Sequence, residues 1–116
     1  GFGLFGHAHE MASRSGVAFV LESERFPAID GALDMARKGV RTSGDPRNRD
    51  FASAHVALDG VSDTLDALGY DPQTAGGLLV SLPRERGAAL EAEFIQRGLF
   101  IRRIGSVEEG AGVLVR

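Results

Sequence analysis

The 116-residue sequence contains no cysteine, and this absence removes several kinds of chemistry at once. Disulfide bonds, thiolate metal sites and a cysteine nucleophile are all excluded within the chain. Positive charge is also scarce, since 13 Lys and Arg residues face 16 Asp and Glu residues, for a formal net charge of -3. Because binding to a phosphate backbone requires a clustered positive surface, this balance argues against nucleic acid as a partner.

Long apolar runs are missing as well. No stretch of about 18 apolar residues occurs, which predicts no membrane-spanning helix and no membrane partner. The N-terminus lacks the basic-then-apolar layout of a signal peptide, so the cytoplasm is the expected location. The content that is present, 43% hydrophobic and 25% charged residues, is typical of one globular domain. Because the sequence begins with Gly-Phe-Gly and no Met, we expect residues 1–116 to be a single domain of a larger polypeptide.

The spacing of apolar residues, with Pro at helix starts and Gly at helix ends, predicts four helices. They are expected at about residues 4–14, 27–38, 61–68 and 83–97. Short apolar runs predict strands at 17–21, 55–58, 77–82, 99–104 and 113–115, and residues 40–52 are expected to form a loop. Helices interspersed with strands, two of them adjacent at the end, indicate an α+β fold built on a mixed sheet.

The segment Asp71-Pro72-Gln73-Thr74-Ala75-Gly76-Gly77-Leu78-Leu79 combines a rigid turn, polar side chains and a Gly pair ahead of an apolar run. Pro72 fixes its own backbone angle and holds Asp71 in an extended conformation. The two glycines allow another group to approach the backbone closely. These properties are typical of a ligand-facing loop, although a plain turn that enters a strand also produces a Pro and Gly-Gly pattern.

This segment and the N-terminal Gly1-Phe2-Gly3-Leu4-Phe5-Gly6-His7 together resemble the C-terminal domain of the selenophosphate synthetase (selenide, water dikinase) family. The family pattern reads roughly Asp-Val-Thr-Gly-Phe-Gly-Leu-Leu-Gly-His at the domain start and Asp-Pro-Gln-Thr-Ser-Gly-Gly-Leu-Leu later. The segment Ser43-Gly44-Asp45-Pro46-Arg47-Asn48 is similar to the family's Gly-Gly-Thr-x-x-Asn loop.

Two departures from the family pattern affect the site. The chain begins just after the family's Asp-Val-Thr, so the Asp that ligates Mg²⁺ in that family would lie upstream of Gly1. Ala75 replaces the usual Ser, which removes a hydroxyl from the loop and leaves its backbone amides available.

The resemblance implies the layered α+β domain of aminoimidazole ribonucleotide synthetase and its relatives, with a mixed sheet of four or more strands. It also implies an enzyme that uses ATP, Mg²⁺, selenide and water to make selenophosphate. The partners implied are an N-terminal ATP-binding domain, the substrate selenide and a second copy in a homodimer. The isolated chain is expected to be inactive, with no catalytic residue or metal ligand of its own and no tight binding of ATP or Mg²⁺. Its expected nucleotide contacts are Gly1, Gly3, Gly6, Asn48, Asp71, Gln73, Thr74, Gly76 and Gly77.

Other readings of these residues remain open. The spaced glycines at positions 1, 3 and 6 fit either a phosphate-binding turn before a helix or close packing of that helix. His7 and His9 point about 200 degrees apart on a helix and cannot share one ion, whereas His7 and Glu10 can form a surface pair. His55 is expected to be structural.

The arginines around Asn48, at positions 41, 47 and 49, fit an anion-binding loop or a solvated loop with internal ion pairs. Two further functions are considered for the whole chain. One is the second domain of a related enzyme, such as thiamine monophosphate kinase, the hydrogenase maturation dehydratase or aminoimidazole ribonucleotide synthetase. The other is an interaction module without catalysis.

Overall fold

The computed structural model describes all residues from 1 to 116 and is organised around one mixed four-stranded sheet. Its strands are β1 (Ala18–Leu21), β2 (Val56–Leu58), β3 (Gly105–Glu108) and β4 (Gly112–Val115), in the order β2-β4-β1-β3. β4 runs parallel to both β1 and β2, whereas β3 is antiparallel to β1. The predicted α+β fold with a mixed sheet is therefore confirmed.

The chain also forms five helices. They are α1 (Gly3–Ser15), α2 (Ala32–Arg37), α3 (Asp45–Ala52), α4 (Asp63–Tyr70) and α5 (Arg84–Gln96), with 3₁₀ turns at Ser23–Arg25 and Ser53–His55. Of these helices, α1 packs directly on β1 and β4. α1 ends where predicted, because Gly16 takes the left-handed conformation (φ 65°) and its N–H returns to the last turn of the helix. α4 begins where Ser62 Oγ accepts a hydrogen bond from the Leu65 N–H at 3.3 Å. None of the five helices is both long and apolar enough to cross a bilayer.

The core lies between α1 and the two central strands. Phe5, Ala8 and Ala12 form the buried face of α1 and are fully inaccessible to solvent. They pack in one cluster with buried side chains of β1 and β4 and with Phe26, Ala52 and Tyr70. The Phe5 ring meets the Tyr70 ring edge to face, with centroids 5.0 Å apart. This contact brings the start of α1 against the end of α4, so the two segments that carry the family motifs are neighbours.

The structure corrects one predicted helix boundary and one predicted loop. The helix expected from Pro27 begins only at Ala32, after Gly31 with φ 83°, and Ile29, which precedes it, is exposed. Residues 45–52, predicted as loop, form α3. A carboxylate and a proline in the first turn favour a helix start, and a side chain of α3 is buried at its end, namely Ala52.

Two predicted strands are also wrong. Residues 77–82 and 99–104 have strand-like apolar composition but pair with no other strand, and Leu78 is 95% exposed. Amino-acid composition predicts which segments can form a strand, but it does not show whether another strand is available to pair with them. The edge position beside β1 is taken instead by β3, which begins at Gly105. A Cβ at Gly105 would collide with the carbonyl oxygen of Val20, so the close pairing depends on this glycine.

Candidate functional site

Three segments that are distant in sequence converge on one surface cavity of about 490 Å³. They are the N-terminal segment, the first turns of α3 and the segment that follows α4. The cavity, called the motif cavity below, is lined by Gly1, Phe2, Arg47, Asn48, Pro72, Gln73 and Thr74. Four of the nine residues predicted as nucleotide contacts therefore lie together: Gly1, Asn48, Gln73 and Thr74.

The remaining predicted contacts do not line this cavity. Asp71 is half-buried beside it, and Gly76 and Gly77 are exposed further along the chain. Gly76 lies close to the Gln73 side chain, since a Cβ at Gly76 would be 2.8 Å from Gln73 Oε1. A ligand contact by any of these three residues stays a prediction.

Gly3 and Gly6 are packing residues in this structure. Gly3 has φ 72°, and a Cβ there would be 2.7 Å from the Gly69 carbonyl oxygen at the end of α4. A Cβ at Gly6 would be 2.5 Å from Phe2 Cβ. Close packing of α1 therefore accounts for both glycines, and their contact with a nucleotide stays a prediction.

Asn48 connects two sides of the motif cavity. Its side chain lies on α3 and the residue is 5% exposed. Asn48 Nδ2 donates one hydrogen bond to the Gly1 carbonyl oxygen at 2.9 Å and another to the Tyr70 carbonyl oxygen at 2.8 Å. Asn48 therefore connects two of the segments that line the cavity, and both of its amide hydrogens are bonded to backbone carbonyl groups.

The three arginines near Asn48 have different surroundings. Arg41 Nη1 donates to the carbonyl oxygens of Ala36 and Val40, at 2.9 and 2.8 Å. Arg49 donates to Asp45 Oδ1 at 2.9 Å and to Asp66 Oδ2 at 2.7 Å. Only Arg47 of the three lines the motif cavity. The hypothesis of internal ion pairs therefore applies to Arg49, and the hypothesis of anion binding now concerns Arg47 alone.

Arg49 is the centre of a partly buried charge network between α3 and α4. Its guanidinium carbon lies 4.5 Å from the centroid of the Tyr70 ring. Burial by itself lowers the pKa of Arg49, but the hydrogen bonds and charges of Asp45 and Asp66 outweigh it and raise this pKa above its ordinary value. The pKa of Tyr70 is raised, first by burial and then by the charge of Asp66. Asp45 Oδ2 and Asp66 Oδ1 are buried and accept no hydrogen bond, so both carboxylates depend on this one cation.

A strip of aromatic rings runs from the motif cavity across α1 and α3 towards β2. Phe2, which lines the cavity, stacks on Phe51 with centroids 4.6 Å apart. His9 meets the edge of Phe51 and stacks flat on His55, with centroids 4.2 Å apart and an angle of 3°. His55 thus has a packing role, as predicted, but its partner His9 could not be predicted from the sequence.

His9 Nδ1 is buried without a hydrogen-bond partner. Burial lowers the pKa of His9, His55 lowers it further, and the charge of Glu10 acts in the opposite direction. On the outer side of the same helix, His7 Nδ1 lies 3.5 Å from Glu10 Oε2, which confirms the predicted surface pair. No group of three or more His, Asp or Glu side chains is placed to hold a metal ion.

The sequence predicted internal ion pairs among the arginines near Asn48, but it identified neither the partners of Arg49 nor the histidine stack. The spacing of Asp45 and Arg49, four residues apart, is a usable signal for an ion pair once α3 is known to be a helix. Asp66 and His55 come from other elements, and only the packed fold brings them to Arg49 and His9.

Comparison with known proteins is consistent with this arrangement of motifs. The family model "AIR synthase related protein, C-terminal domain" matches residues 1–116. The chain is 40% identical over 104 residues to "Selenide, water dikinase 2" of Peptoclostridium acidaminophilum, which covers 90% of the chain and 30% of that protein. It is 38% identical over 112 residues to "Selenide, water dikinase" of Caldanaerobacter subterraneus subsp. tengcongensis, covering 94% and 32% respectively.

A further relative is "Selenide, water dikinase" of Clostridium botulinum strain Eklund 17B, 40% identical over 108 residues, with 92% of the chain and 31% of the relative covered. The chain thus spans about a third of the length of the curated relatives it matches, and it aligns with their C-terminal part. Together with the converging motifs and the mixed sheet, these matches show that the chain belongs to the AIR synthase related protein family, as a C-terminal domain similar to that of selenide, water dikinases.

Proposed function

We propose that this chain is the C-terminal domain of an ATP-dependent selenophosphate synthetase and that it covers one side of the enzyme's active site. The reaction converts ATP, selenide and water into selenophosphate, AMP and phosphate. The observation that carries the proposal is the motif cavity, where the segments that resemble the family's three motifs meet. Packing alone would account for Gly3 and Gly6, but it would not require polar side chains from two of these segments to face one opening.

The lining of the motif cavity suits the phosphate end of a nucleotide. Arg47 offers a planar guanidinium, which binds phosphate oxygens through two parallel hydrogen bonds. The Thr74 hydroxyl and the Gln73 side-chain amide add neutral donors to the lining. In this proposal these three side chains orient the phosphates and stabilise negative charge that develops during transfer.

The same lining does not fit a Mg²⁺ site. Mg²⁺ is usually held through one or two carboxylates together with substrate phosphates, and no Asp or Glu lines the cavity. In the proposed enzyme the metal ligands therefore come from the N-terminal ATP-binding domain. That domain is also the proposed partner of the cavity face, in a cytoplasmic homodimer. The isolated chain, with one cavity arginine and no metal ligand, is expected to be inactive.

The test is ³¹P NMR of Mg-ATP with selenide, using the complete polypeptide that contains this chain and, separately, residues 1–116. Selenophosphate is expected from the complete polypeptide and not from residues 1–116. Arg47→Met in the complete polypeptide is expected to weaken the activity strongly. The exposed Arg84→Met is the matched control, because Arg84 does not line the motif cavity.

A folded complete polypeptide that makes no selenophosphate would refute the proposal. ATP turnover with a different phosphoryl acceptor would instead favour another enzyme of the same family. Selenide-dependent ATP hydrolysis by residues 1–116 alone would contradict the division of roles between the two domains.

A further inference from the structure

Asn48 is the only asparagine in the chain, and it occupies a position that few side chains could fill. It is almost completely buried, yet it reaches two backbone carbonyls that are 47 and 22 residues away in sequence. One belongs to Gly1, in the N-terminal segment. The other belongs to Tyr70, the residue before the Asp71-to-Gly77 segment. The side chain therefore joins two of the three segments around the motif cavity.

Asn48 itself is fixed in place by its neighbours on α3. Arg49, the next residue, is bound to Asp45 on α3 and to Asp66 on α4. Just before α3, Gly44 lies directly against Pro72, since a Cβ at Gly44 would be 2.8 Å from Pro72 Cγ. α3 is thus anchored on both sides of Asn48, to Asp66 within α4 and to Pro72 just after it, and the amide cannot move away from its carbonyl partners without breaking these contacts.

The chemistry of the amide settles its orientation. Two carbonyl oxygens can be satisfied only by the NH₂ end of the side chain, so Nδ2 points towards them. Asn48 Oδ1 accepts no hydrogen bond within the chain and is not among the buried polar atoms without a partner. Both donors are consumed by the fold, so Asn48 has none left for a phosphate.

We propose that Asn48 is a positioning residue that clamps the N-terminal segment to the Asp71-to-Gly77 segment and so sets the width of the motif cavity. Its importance for catalysis rests on the proposed function above, whereas the clamp itself concerns only the fold. In this proposal Asn48 acts indirectly, through the carbonyl groups of Gly1 and Tyr70, and a direct contact between Asn48 and a nucleotide stays a prediction.

The clamp predicts an unusual order among substitutions of Asn48. Asn48→Asp keeps the size of the side chain but replaces both donors with a carboxylate that faces two carbonyl oxygens. Asn48→Ser is smaller but keeps one hydroxyl donor, and Asn48→Ala keeps none. If only the donors matter, Asn48→Ser retains more function than Asn48→Asp. If Asn48 merely fills space, the isosteric Asn48→Asp retains more than Asn48→Ser. The two roles therefore predict opposite orders.

The experiment uses the complete polypeptide that contains this chain and has two readouts. The first is hydrogen exchange followed by mass spectrometry, in which Asn48→Asp is expected to speed exchange in residues 1–6 and 70–77 and to leave β1 and β4 unchanged. The second is kcat for selenophosphate formation per folded molecule, which is expected to fall about 100-fold in Asn48→Asp, as for a small misplacement of a positioning group. The effect on kcat should exceed the effect on the KM for ATP.

Gln96→Glu is the matched control, since it makes the same amide-to-acid change at an exposed position at the end of α5. It is expected to change neither readout. If Asn48→Asp fails to fold, Asn48→Ser and Asn48→Ala still differ by one donor, and Asn48→Ser should exchange more slowly in the segment whose carbonyl oxygen accepts the hydroxyl hydrogen.

Two results would overturn the clamp: unchanged exchange in both segments in every Asn48 variant, or Asn48→Asp outperforming Asn48→Ser in kcat. A different result separates the clamp from the proposed function. If the unmodified polypeptide makes no selenophosphate, the proposed function fails, and the exchange series alone decides whether Asn48 joins the two segments.

Discussion

Replacing Arg49 with Met should destabilise the chain far more than replacing other paired arginines on its surface. The guanidinium of Arg49 bonds to two carboxylates whose side chains are only 11% and 16% exposed, those of Asp45 and Asp66. Each of these carboxylates also has one buried oxygen with no other partner. Methionine preserves much of the apolar stem of arginine and removes the only cation, so both carboxylates would stay buried without compensation.

The expected loss follows from the degree of burial. Breaking a buried ion pair by removing one partner costs about 3–5 kcal/mol. The Arg49 side chain is itself 35% exposed, so solvent screens part of the interaction. A loss of about 2–3 kcal/mol in the free energy of unfolding is therefore expected. In urea, this corresponds to a midpoint lower by about 1–2 M for a chain of this size.

The assay is equilibrium unfolding of the chain in urea, followed by far-UV circular dichroism. The control is Arg97→Met, which breaks the pair with Glu93 on α5, where both side chains are at least half exposed. That change should cost only about 0.3–0.5 kcal/mol. A double-mutant cycle with Asp66→Asn should give a coupling energy between Arg49 and Asp66 of about 1–3 kcal/mol. The reasoning is refuted if Arg49→Met costs no more than Arg97→Met.

Three further predictions concern pH, glycine packing and the exposed segment after the motif cavity. Because burial lowers the pKa of His9 in the folded state, the unfolded chain binds that proton more tightly, and stability should fall as the pH drops below the ordinary histidine value of about 6.5. Thermal unfolding measured at several pH values should lose part of this dependence in His9→Gln and keep it in the exposed His7→Gln. Gly69→Ala should lower the free energy of unfolding by about 1–3 kcal/mol, since the new methyl group would overlap the buried Phe5 ring. The control Gly87→Ala on α5 should raise the free energy of unfolding by up to about 1 kcal/mol. Equal effects of the two substitutions in urea unfolding would contradict this packing. Leu78→Asn should change stability by less than about 0.5 kcal/mol, as at an exposed site, and a large loss would show that residues 77–82 are packed after all.

Local signals in the sequence predicted the elements whose ends carry Gly, Pro or a clear apolar spacing. Helix α1 with its end at Gly16, strand β1 and helices α4 and α5 are all predicted in this way. α3 was missed because its charged residues give no apolar spacing, although Pro46 and Asp45 mark its first turn. The predicted start of α2 is wrong, because local composition does not show which residues the packed fold leaves exposed.

The sheet shows the limit of local reasoning most clearly. An apolar run such as residues 77–82 predicts a strand equally well whether or not a partner strand is available. Which run joins the sheet depends on close approaches between distant residues, such as that of Gly105 to Val20. A single sequence does not reveal such approaches.

For the candidate site, the motifs identified Gly1, Asn48, Gln73 and Thr74, which the structure brings to one cavity. Their roles were harder to predict than their location. The sequence predicts Asn48 as a nucleotide contact, whereas its hydrogen bonds to the carbonyl groups of Gly1 and Tyr70 become visible only in the fold. Side chains that act through the backbone leave no pattern of their own in the sequence.

The order of the strands has a consequence for how the chain is made. Strand β4 lies between β1 and β2 and pairs with both, so these two strands stay unconnected until β4 joins them. During synthesis α1 and β1 emerge long before β4 does, so their apolar faces stay exposed to solvent until β4 is available. Contacts between residues so far apart in sequence also slow folding. A ribosome paused before Gly112 would therefore hold a chain without a continuous sheet, and this interval is when the nascent domain is most exposed to aggregation and to chaperones.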